Sequence, residues 1–172
     1  MTQAASKPEC LLVMVDESPG TKRSLAYVAK MIGRLRGFHV YLLHLLPPLQ
    51  PELLEFGGAE DPRKEKELVE ELRRDQQAWI AAARDSAKPA LDYALKALRE
   101  AGLSSGDIEL AFSDPMDGRE SAVTVLDHAR AKECHTIVLG HESHFWFRKL
   151  TGGHLAEHLL RHSSEITLWV VQ

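Results

Sequence analysis

Two short runs of consecutive apolar residues constrain the fold of this chain more than any other feature of its sequence. One run, LLVMV, occupies residues 11–15 and ends at Asp16; the other occupies 40–46 and ends at a pair of prolines. Strands that are apolar at consecutive positions are typical of parallel sheets covered by helices on both faces. Three weaker candidate strands lie at 108–112, 136–139 and 166–171.

Helical patterns fill the segments between these strands. Ser18 followed by Pro19 predicts a helix start, because serine caps free amides and proline suits the first helical position. The apolar face of this helix carries Leu25, Ala29, Ile32 and Leu35, and Gly37 closes the segment. A second pattern runs from 63 to 101, where Pro89 should kink or split the helix and Gly102 should cap it. Further helices are predicted at 119–132 and 153–161.

Strands that alternate with helices predict an α/β fold, with a parallel sheet wrapped by helices on both faces. The length of 172 residues suits a single domain over 1–172. Within it, we expect residues 1–9 to be flexible. The proline- and glycine-rich stretch 47–62 should form a surface loop rather than a domain boundary.

The charge and hydropathy of the chain exclude several classes of function. A net charge of −4 provides no basic footprint for nucleic acid. No apolar run approaches the roughly 18 residues that a membrane-spanning helix needs. The first ten residues lack the apolar core of a signal peptide, so we expect a cytoplasmic protein without nucleic-acid or membrane partners.

The two cysteines, Cys10 and Cys134, do not amount to a disulfide framework and fit a reducing compartment. Cys10 opens the first predicted strand and Cys134 precedes the fourth, so the two sulfurs should lie close together if these strands are neighbours in the sheet. Buried thiols are the expected state of this pair, because disulfides are rare in the cytosol.

Candidate ligand-binding residues follow the first and fourth predicted strands. Open α/β sheets bind ligands outside the carboxyl ends of their strands, where the strand order reverses. Asp16 could accept hydrogen bonds from a ribose or an adenine there. Gly140 would allow a ligand to approach the backbone, and Gly152-Gly153 would open a helix whose free amides suit phosphate. The alternative is that these are ordinary strand-end and capping residues.

Five segments together resemble the universal stress protein family over nearly the whole chain. Residues 15–18 (VDES) are similar to the family's Val-Asp-x-Ser, and 42–45 (LLHL) to its Leu-Leu-His-Val. Residues 136–140 (TIVLG) resemble its Ile-Val-Met-Gly. The closing helix and last strand of the family resemble 159–162 and 168–171.

The resemblance implies a three-layer sandwich of the adenine nucleotide α-hydrolase-like type, with a five-stranded parallel sheet in the order 3-2-1-4-5. It also implies a homodimer formed through the last strand, here 166–171. One branch of the family binds ATP or another adenine nucleotide, with Mg²⁺ if the ligand is a triphosphate.

The phosphate-binding loop of that branch, Gly-x2-Gly-x9-Gly followed by Ser or Thr, is only partly matched. Gly140 and Gly153 match the first and third glycines, whereas Ser143 replaces the second glycine and His154 replaces the hydroxyl residue. The resemblance implies a nucleotide site formed by Val15, Asp16, Ser18, Leu45, Leu139, Gly140, Ser143, Gly153, His154 and Leu155. We expect altered phosphate recognition that favours AMP or ADP, or an empty site.

Three functions remain open on the sequence. The first is a regulatory dimer that binds an adenine nucleotide. The second is a nucleotide-free interaction protein that uses the dimer and the aromatic segment Phe145-Trp146-Phe147, a candidate surface for a protein partner. The third is a slow ATP hydrolase, which a lone Asp16 does not support, so no catalytic residue is predicted.

A metal site is not predicted either. His154, His158 and His162 recur at helical spacing, but they lack a cysteine or carboxylate partner at ligand spacing.

Overall fold

Five parallel strands form one sheet in a computed structural model that describes residues 8–54, 61–115, 121–141 and 155–172. The strands are β1 (Glu9–Met14), β2 (Phe38–His44), β3 (Ile108–Phe112), β4 (Thr136–Gly140) and β5 (Thr167–Val171). Their order is β3-β2-β1-β4-β5, and every neighbouring pair is parallel. The predicted strand order is therefore confirmed.

Four helices cover the two faces of this sheet in the described ranges: α1 (Pro19–Ile32), α2 (Pro62–Glu100), α3 (Ser121–Ala131) and α4 (Leu155–His162). Helices α1 and α2 share one hydrophobic cluster with Val13 and Leu42. Helices α3 and α4 share the other with Leu12 and Leu43. The predicted three-layer α/β sandwich is confirmed.

The alternation of β1 between these two clusters explains its run of consecutive apolar residues. Leu12 and Met14 face α3 and α4, whereas Val13 and Val15 face α1 and α2, and all four have no exposed surface. Each such side chain contributes about 1.5–3 kcal/mol through burial. The central strand therefore has no polar face.

Helix α1 begins as predicted and ends earlier than predicted. Ser18 is the N-cap, and its hydroxyl accepts a hydrogen bond from the amide of Thr21 at 3.2 Å. The helix ends at Ile32, and its C-cap Gly33 packs directly on the end of α2, where a Cβ would lie 2.6 Å from the Ala101 carbonyl oxygen. Leu35, expected on the apolar face, lies beyond the helix and is 57 % exposed, so that expectation was wrong.

Helix α2 is continuous over 39 residues, so Pro89 does not split it. A proline inside a helix removes one hydrogen bond and costs about 3 kcal/mol. The turns around Pro89 offset that cost by burial against the sheet, which involves Ala87, Leu91, Ala94 and Leu98. Gly102 ends the helix as predicted, with a φ of 108°, and the amide of Leu103 donates to the Leu98 carbonyl at 3.1 Å.

The two segments predicted to be irregular are only partly described. Residues 1–7 lie outside the described residues, and Glu9 already belongs to β1, where its amide donates to the Gly37 carbonyl at 2.8 Å. In the stretch 47–62, residues 55–60 lie outside the described residues. Its earlier part contains a short helical turn at Pro51–Leu53, which Gln76 of α2 holds by a 2.7 Å hydrogen bond to the Leu53 carbonyl.

The two cysteines are joined by a disulfide, so the expectation of two buried thiols was wrong. Their expected proximity is confirmed, with a Cα–Cα separation of 4.4 Å. The parallel register that pairs Leu11 with Thr136 brings Cys10, at the start of β1, next to Cys134, just before β4.

A contact between two glycine backbones sets the position of α1 on the sheet. A Cβ placed on Gly140 would lie 2.5 Å from the Cα of Gly20, in the first turn of α1. Both glycines are buried. The missing side chain of Gly140 therefore makes room for α1, independently of any ligand.

We expect Gly140→Ala to lower the free energy of unfolding by about 1–3 kcal/mol, because the new methyl group must displace helix backbone. Gly106→Ala is the matched control, since the nearest heavy atom to its Cβ would be the Ser104 hydroxyl oxygen at 3.9 Å. Its effect should stay within about 0.5 kcal/mol. Urea unfolding of both variants measures the difference, and equal stabilities would contradict this role of Gly140.

Candidate functional site

The ends of β1 and β4 meet at the carboxyl edge of the sheet. Val13 pairs with Val138, and the same register carries Val15 level with Gly140. The turns after Val15 and Leu139 therefore lie side by side, as the sequence predicted. This is the position at which the order of strands reverses, since β2 lies on one side of β1 and β4 on the other.

Asp16 and Ser18 tie the end of β1 to the start of α1. One carboxylate oxygen of Asp16, Oδ1, accepts hydrogen bonds from the Ser18 amide at 3.0 Å and the Ser18 hydroxyl at 2.5 Å. It also accepts from the hydroxyl of Thr21, which in turn accepts from the Asp16 amide at 3.0 Å. A carboxylate at this position complements the positive end of the helix dipole. Both predicted site residues thus have a structural role here.

The apolar residues predicted for the site are divided between the two faces of the sheet. Leu45, Leu139 and Leu155 belong to the cluster under α3 and α4 and are at most 8 % exposed. Val15 belongs to the cluster under α1 and α2. Gly140 lies at the edge between them and is closed on the α1 side by Gly20. Ser143, Gly153 and His154 lie outside the described residues, as does the aromatic segment 145–147.

A cavity of about 290 Å³ adjoins Asp16 on the side of α1 and α2. It is lined by Asp16, Glu17, Thr21, Lys22, Pro89, Ala90 and Tyr93. Within this lining, the ammonium of Lys22 lies 5.6 Å from the centre of the Tyr93 ring. The sequence did not reveal the cavity, because three of its seven lining residues come from the second half of α2, far from Asp16 in the chain. Its volume is at the lower limit for a small-molecule site.

His44, the last residue of β2, joins this edge to the neighbouring strand. Its Nδ1 donates to the Val15 carbonyl at 2.8 Å, so the neutral ring carries its proton on Nδ1 rather than Nε2. Burial lowers the pKa of His44, although its hydrogen bond to Val15 and the nearby carboxylates of Asp16 and Glu17 oppose that shift. The sequence identified His44 only as part of a motif and gave no sign of this contact.

The lowered pKa of His44 makes stability depend on pH. The folded state favours the neutral ring, so this contribution is complete above the unfolded pKa of about 6.5 and is lost as the pH falls towards the folded pKa. His44→Asn retains an N–H donor at this position but cannot gain a proton. We therefore expect the fall in unfolding free energy between about pH 7 and pH 5 to be smaller in this variant.

Urea denaturation at the two pH values tests this expectation. Part of the fall should persist in the variant, because burial also lowers the pKa of His128. An identical fall in the wild type and His44→Asn would show that His44 does not contribute to it.

Neither a metal-ligand cluster nor a membrane-spanning helix occurs in the described ranges. No group of three or more histidine, cysteine or acidic residues there could hold a metal ion. No helix in the same ranges is both long enough and apolar enough to cross a bilayer.

The fold is similar to that of several solved universal stress proteins. The protein from Archaeoglobus fulgidus in complex with dAMP is 20% identical, with a TM-score of 0.57, and the match covers 96% of this chain and 99% of that one. A family member from Burkholderia pseudomallei is 17% identical, with a TM-score of 0.61 and coverages of 96% and 97%.

A plant structure, the Arabidopsis thaliana family protein with AMP bound, is 13% identical, with a TM-score of 0.55 and coverages of 95% and 91%. At these identities, the three structures establish the fold.

The sequence itself establishes the family. No curated protein matches the chain. The model of the universal stress protein family matches residues 10–172, which include every described helix and nearly all of β1. The chain therefore belongs to the universal stress protein family.

Proposed function

We propose that this chain binds an adenine nucleotide at the carboxyl edge of its sheet, as a regulatory protein rather than an efficient enzyme. The observation that carries the proposal is the meeting of the β1 and β4 ends, with Val15 level with Gly140 at the reversal of strand order. The structural relatives from A. fulgidus and A. thaliana contain dAMP and AMP. An efficient hydrolase would need a base, and Asp16 is instead engaged at the start of α1.

The nucleoside would lie on the α3–α4 side of this edge. The contact between Gly20 and Gly140 leaves no room for a ligand directly above Gly140 on the α1 side. On the opposite side, Leu45, Leu139 and Leu155 belong to one buried apolar cluster beneath the strand ends. Apolar surroundings of this kind suit a purine base.

The phosphate groups would extend towards residues after β4. Asp16 and Glu17 place negative charge at the start of α1, which disfavours an anion there. In the family's loop pattern, Ser143 and His154 replace a glycine and a hydroxyl residue, and both lie outside the described residues. We therefore propose that AMP or ADP binds more tightly than ATP, and that Mg²⁺ enters only with a triphosphate.

Isothermal titration with AMP, ADP and ATP, with and without magnesium, tests the proposal. A nucleotide present at 100 times its dissociation constant should also raise the free energy of unfolding by about 2.7 kcal/mol. The double variant Ser143→Gly/His154→Ser should bind ATP about fivefold to tenfold more tightly, since it restores the glycine and the hydroxyl residue of the family's loop pattern, a gain of about 1 kcal/mol.

AMP is the matched control for this variant, because its affinity should change much less than that of ATP. An equal gain for both nucleotides would contradict the proposed phosphate defect. If none of the three nucleotides binds to the wild type at about millimolar concentration, nucleotide binding is refuted and the interaction-protein function is favoured.

We also propose that the protein forms a homodimer through β5. This strand is an edge of the sheet, where unpaired backbone groups can pair with a second strand. It presents apolar side chains to both faces: Val170 is 39 % exposed, and Trp169 contacts Tyr27 of α1 edge-on, with ring centres 5.6 Å apart. Met31 extends this apolar surface along α1 and is 46 % exposed.

The opposite edge of the sheet is protected by charge. In β3, the carboxylate of Glu109 binds the ammonium of Lys132 at 2.5 Å and lies 3.7 Å from the Nε2 of His39. Charged side chains on an edge strand oppose pairing with another chain. Pairing at β5 is therefore favoured over pairing at β3.

Substitutions on the two edges distinguish these interfaces. Val170→Lys should convert the dimer to a monomer, because a lysine would be buried without a partner at the interface. Leu110→Lys is the matched control, since Leu110 is similarly exposed, at 41 %, but lies on β3. Size-exclusion chromatography with light scattering gives the mass, and a dimer that survives Val170→Lys would refute the β5 interface.

A further inference from the structure

The bond between Cys10 and Cys134 is the one covalent crosslink in the described chain, and the proposed nucleotide site does not use it. It joins residues 124 positions apart in sequence, at the amino ends of the central strands. The proposed nucleotide site lies at the opposite, carboxyl ends. The crosslink therefore has to be explained by its own surroundings.

Backbone hydrogen bonds at the end of α3 hold Cys134 in place alongside the disulfide. The Cys134 amide donates to the Ala129 carbonyl at 2.8 Å, and the Glu133 amide donates to the Arg130 carbonyl at 3.0 Å. Glu133 has a φ of 53°, so these bonds form the motif that commonly closes a helix with a left-handed residue. Cys10 is held in β1, whose neighbours are β2 and β4. Two separate backbone frameworks thus keep the cysteines adjacent.

The two sulfurs differ in their access to solvent. Cys134 is 2 % exposed and belongs to the cluster under α3 and α4. Cys10 is only partly buried, at the border of that cluster. A reagent from solution would therefore reach Cys10 first, and Cys134 would react from within the protein.

We propose that Cys10 and Cys134 form a reversible thiol–disulfide couple that exchanges with small disulfides of the glutathione type. The Cys10 thiol loses its proton to water, and its thiolate attacks one sulfur of oxidised glutathione. The glutathione disulfide bond breaks, and one glutathione leaves as a thiolate that takes up a proton. The other glutathione remains bound to Cys10 as a mixed disulfide.

Cys134 completes the exchange. Its thiolate attacks the sulfur of Cys10, which releases the second glutathione as a thiol and forms the protein disulfide. Two protein thiols are oxidised and one small disulfide is reduced to two thiols. Reduced glutathione in excess drives the same steps in reverse.

The couple acts on the amino end of the edge strand β5. The residue after Cys134 is His135, whose carbonyl accepts a hydrogen bond from the Thr167 amide at 2.8 Å, at the first residue of β5. With the crosslink in place, His135 is anchored to β1 through the adjacent residue Cys134, which is bonded to Cys10. Reduction removes this anchor, so the Thr167 amide should exchange its hydrogen faster in the reduced protein.

The wild-type chain allows a direct test, because it contains no other cysteine. After incubation with oxidised glutathione and unfolding, it should show no titratable thiols, and after reduction it should show both. Reduction should also lower the melting temperature by about 10 °C, as expected when a crosslink that closes a long loop is removed. In Cys10→Ser/Cys134→Ser, a reductant should leave the melting temperature unchanged.

Single variants test the order of reaction. Cys134→Ser should accumulate a mixed disulfide with glutathione at Cys10, visible as a mass increase of one glutathionyl group, whereas Cys10→Ser should react much more slowly. Faster labelling of Cys10→Ser would overturn the assigned order. Two free thiols in the glutathione-treated wild type, or equal melting temperatures of its two redox forms, would overturn the couple itself.

Discussion

The direct contact of Gly20 with Gly140 is the constraint on which the arrangement of the carboxyl edge depends. It allows the first turn of α1 to rest on the end of β4, although α1 follows β1 in the chain. A side chain on Gly140 would have to push the helix away from the sheet. The hydrogen bonds of Asp16 then fix the same turn to the end of β1. Two neighbouring strands are thereby held by one helix start.

This arrangement distributes charge unevenly around the strand ends. The positive end of the α1 dipole is already neutralised by Asp16, and Glu17 adds further negative charge beside it. Many α/β proteins use the first helix start to bind phosphate. Here an anion at that position would meet two carboxylates. A nucleotide would therefore have to be orientated with its phosphates beyond β4, and its base would be the part close to the centre of the sheet.

The sequence predicted those parts of the fold that local chemistry determines. The consecutive apolar runs identified the strands, and Ser18 and Gly102 identified the helix ends, because caps are recognised by residue type. The strand order followed from the family resemblance, since hydrophobic patterns do not specify which strands are neighbours. Continuity of α2 through Pro89 was not predictable, because it depends on burial against a sheet formed by distant residues. The disulfide was missed because the number of cysteines indicates the redox compartment of a protein and does not show whether two particular cysteines are bonded.

For the candidate site, the sequence located the two strand ends but not the functions of their residues. The sequence predicts close ligand approach at Gly140, whereas the structure shows that α1 occupies the space on one side of it. The contact of His44 with Val15 and the cavity beside Tyr93 both join segments that are far apart in sequence. Such contacts depend on tertiary packing, which no local motif encodes.

The length of α2 has a consequence for the local unfolding of this protein. Every fully buried residue of the helix lies in its second half, between Ala87 and Leu98, while the first half is held mainly by half-buried contacts such as the bond from Gln76 to Leu53. An element anchored at one end need not melt as a unit. Its amino-terminal turns can unwind in a local, low-energy fluctuation while the sheet stays intact, so one helix contains two levels of cooperativity.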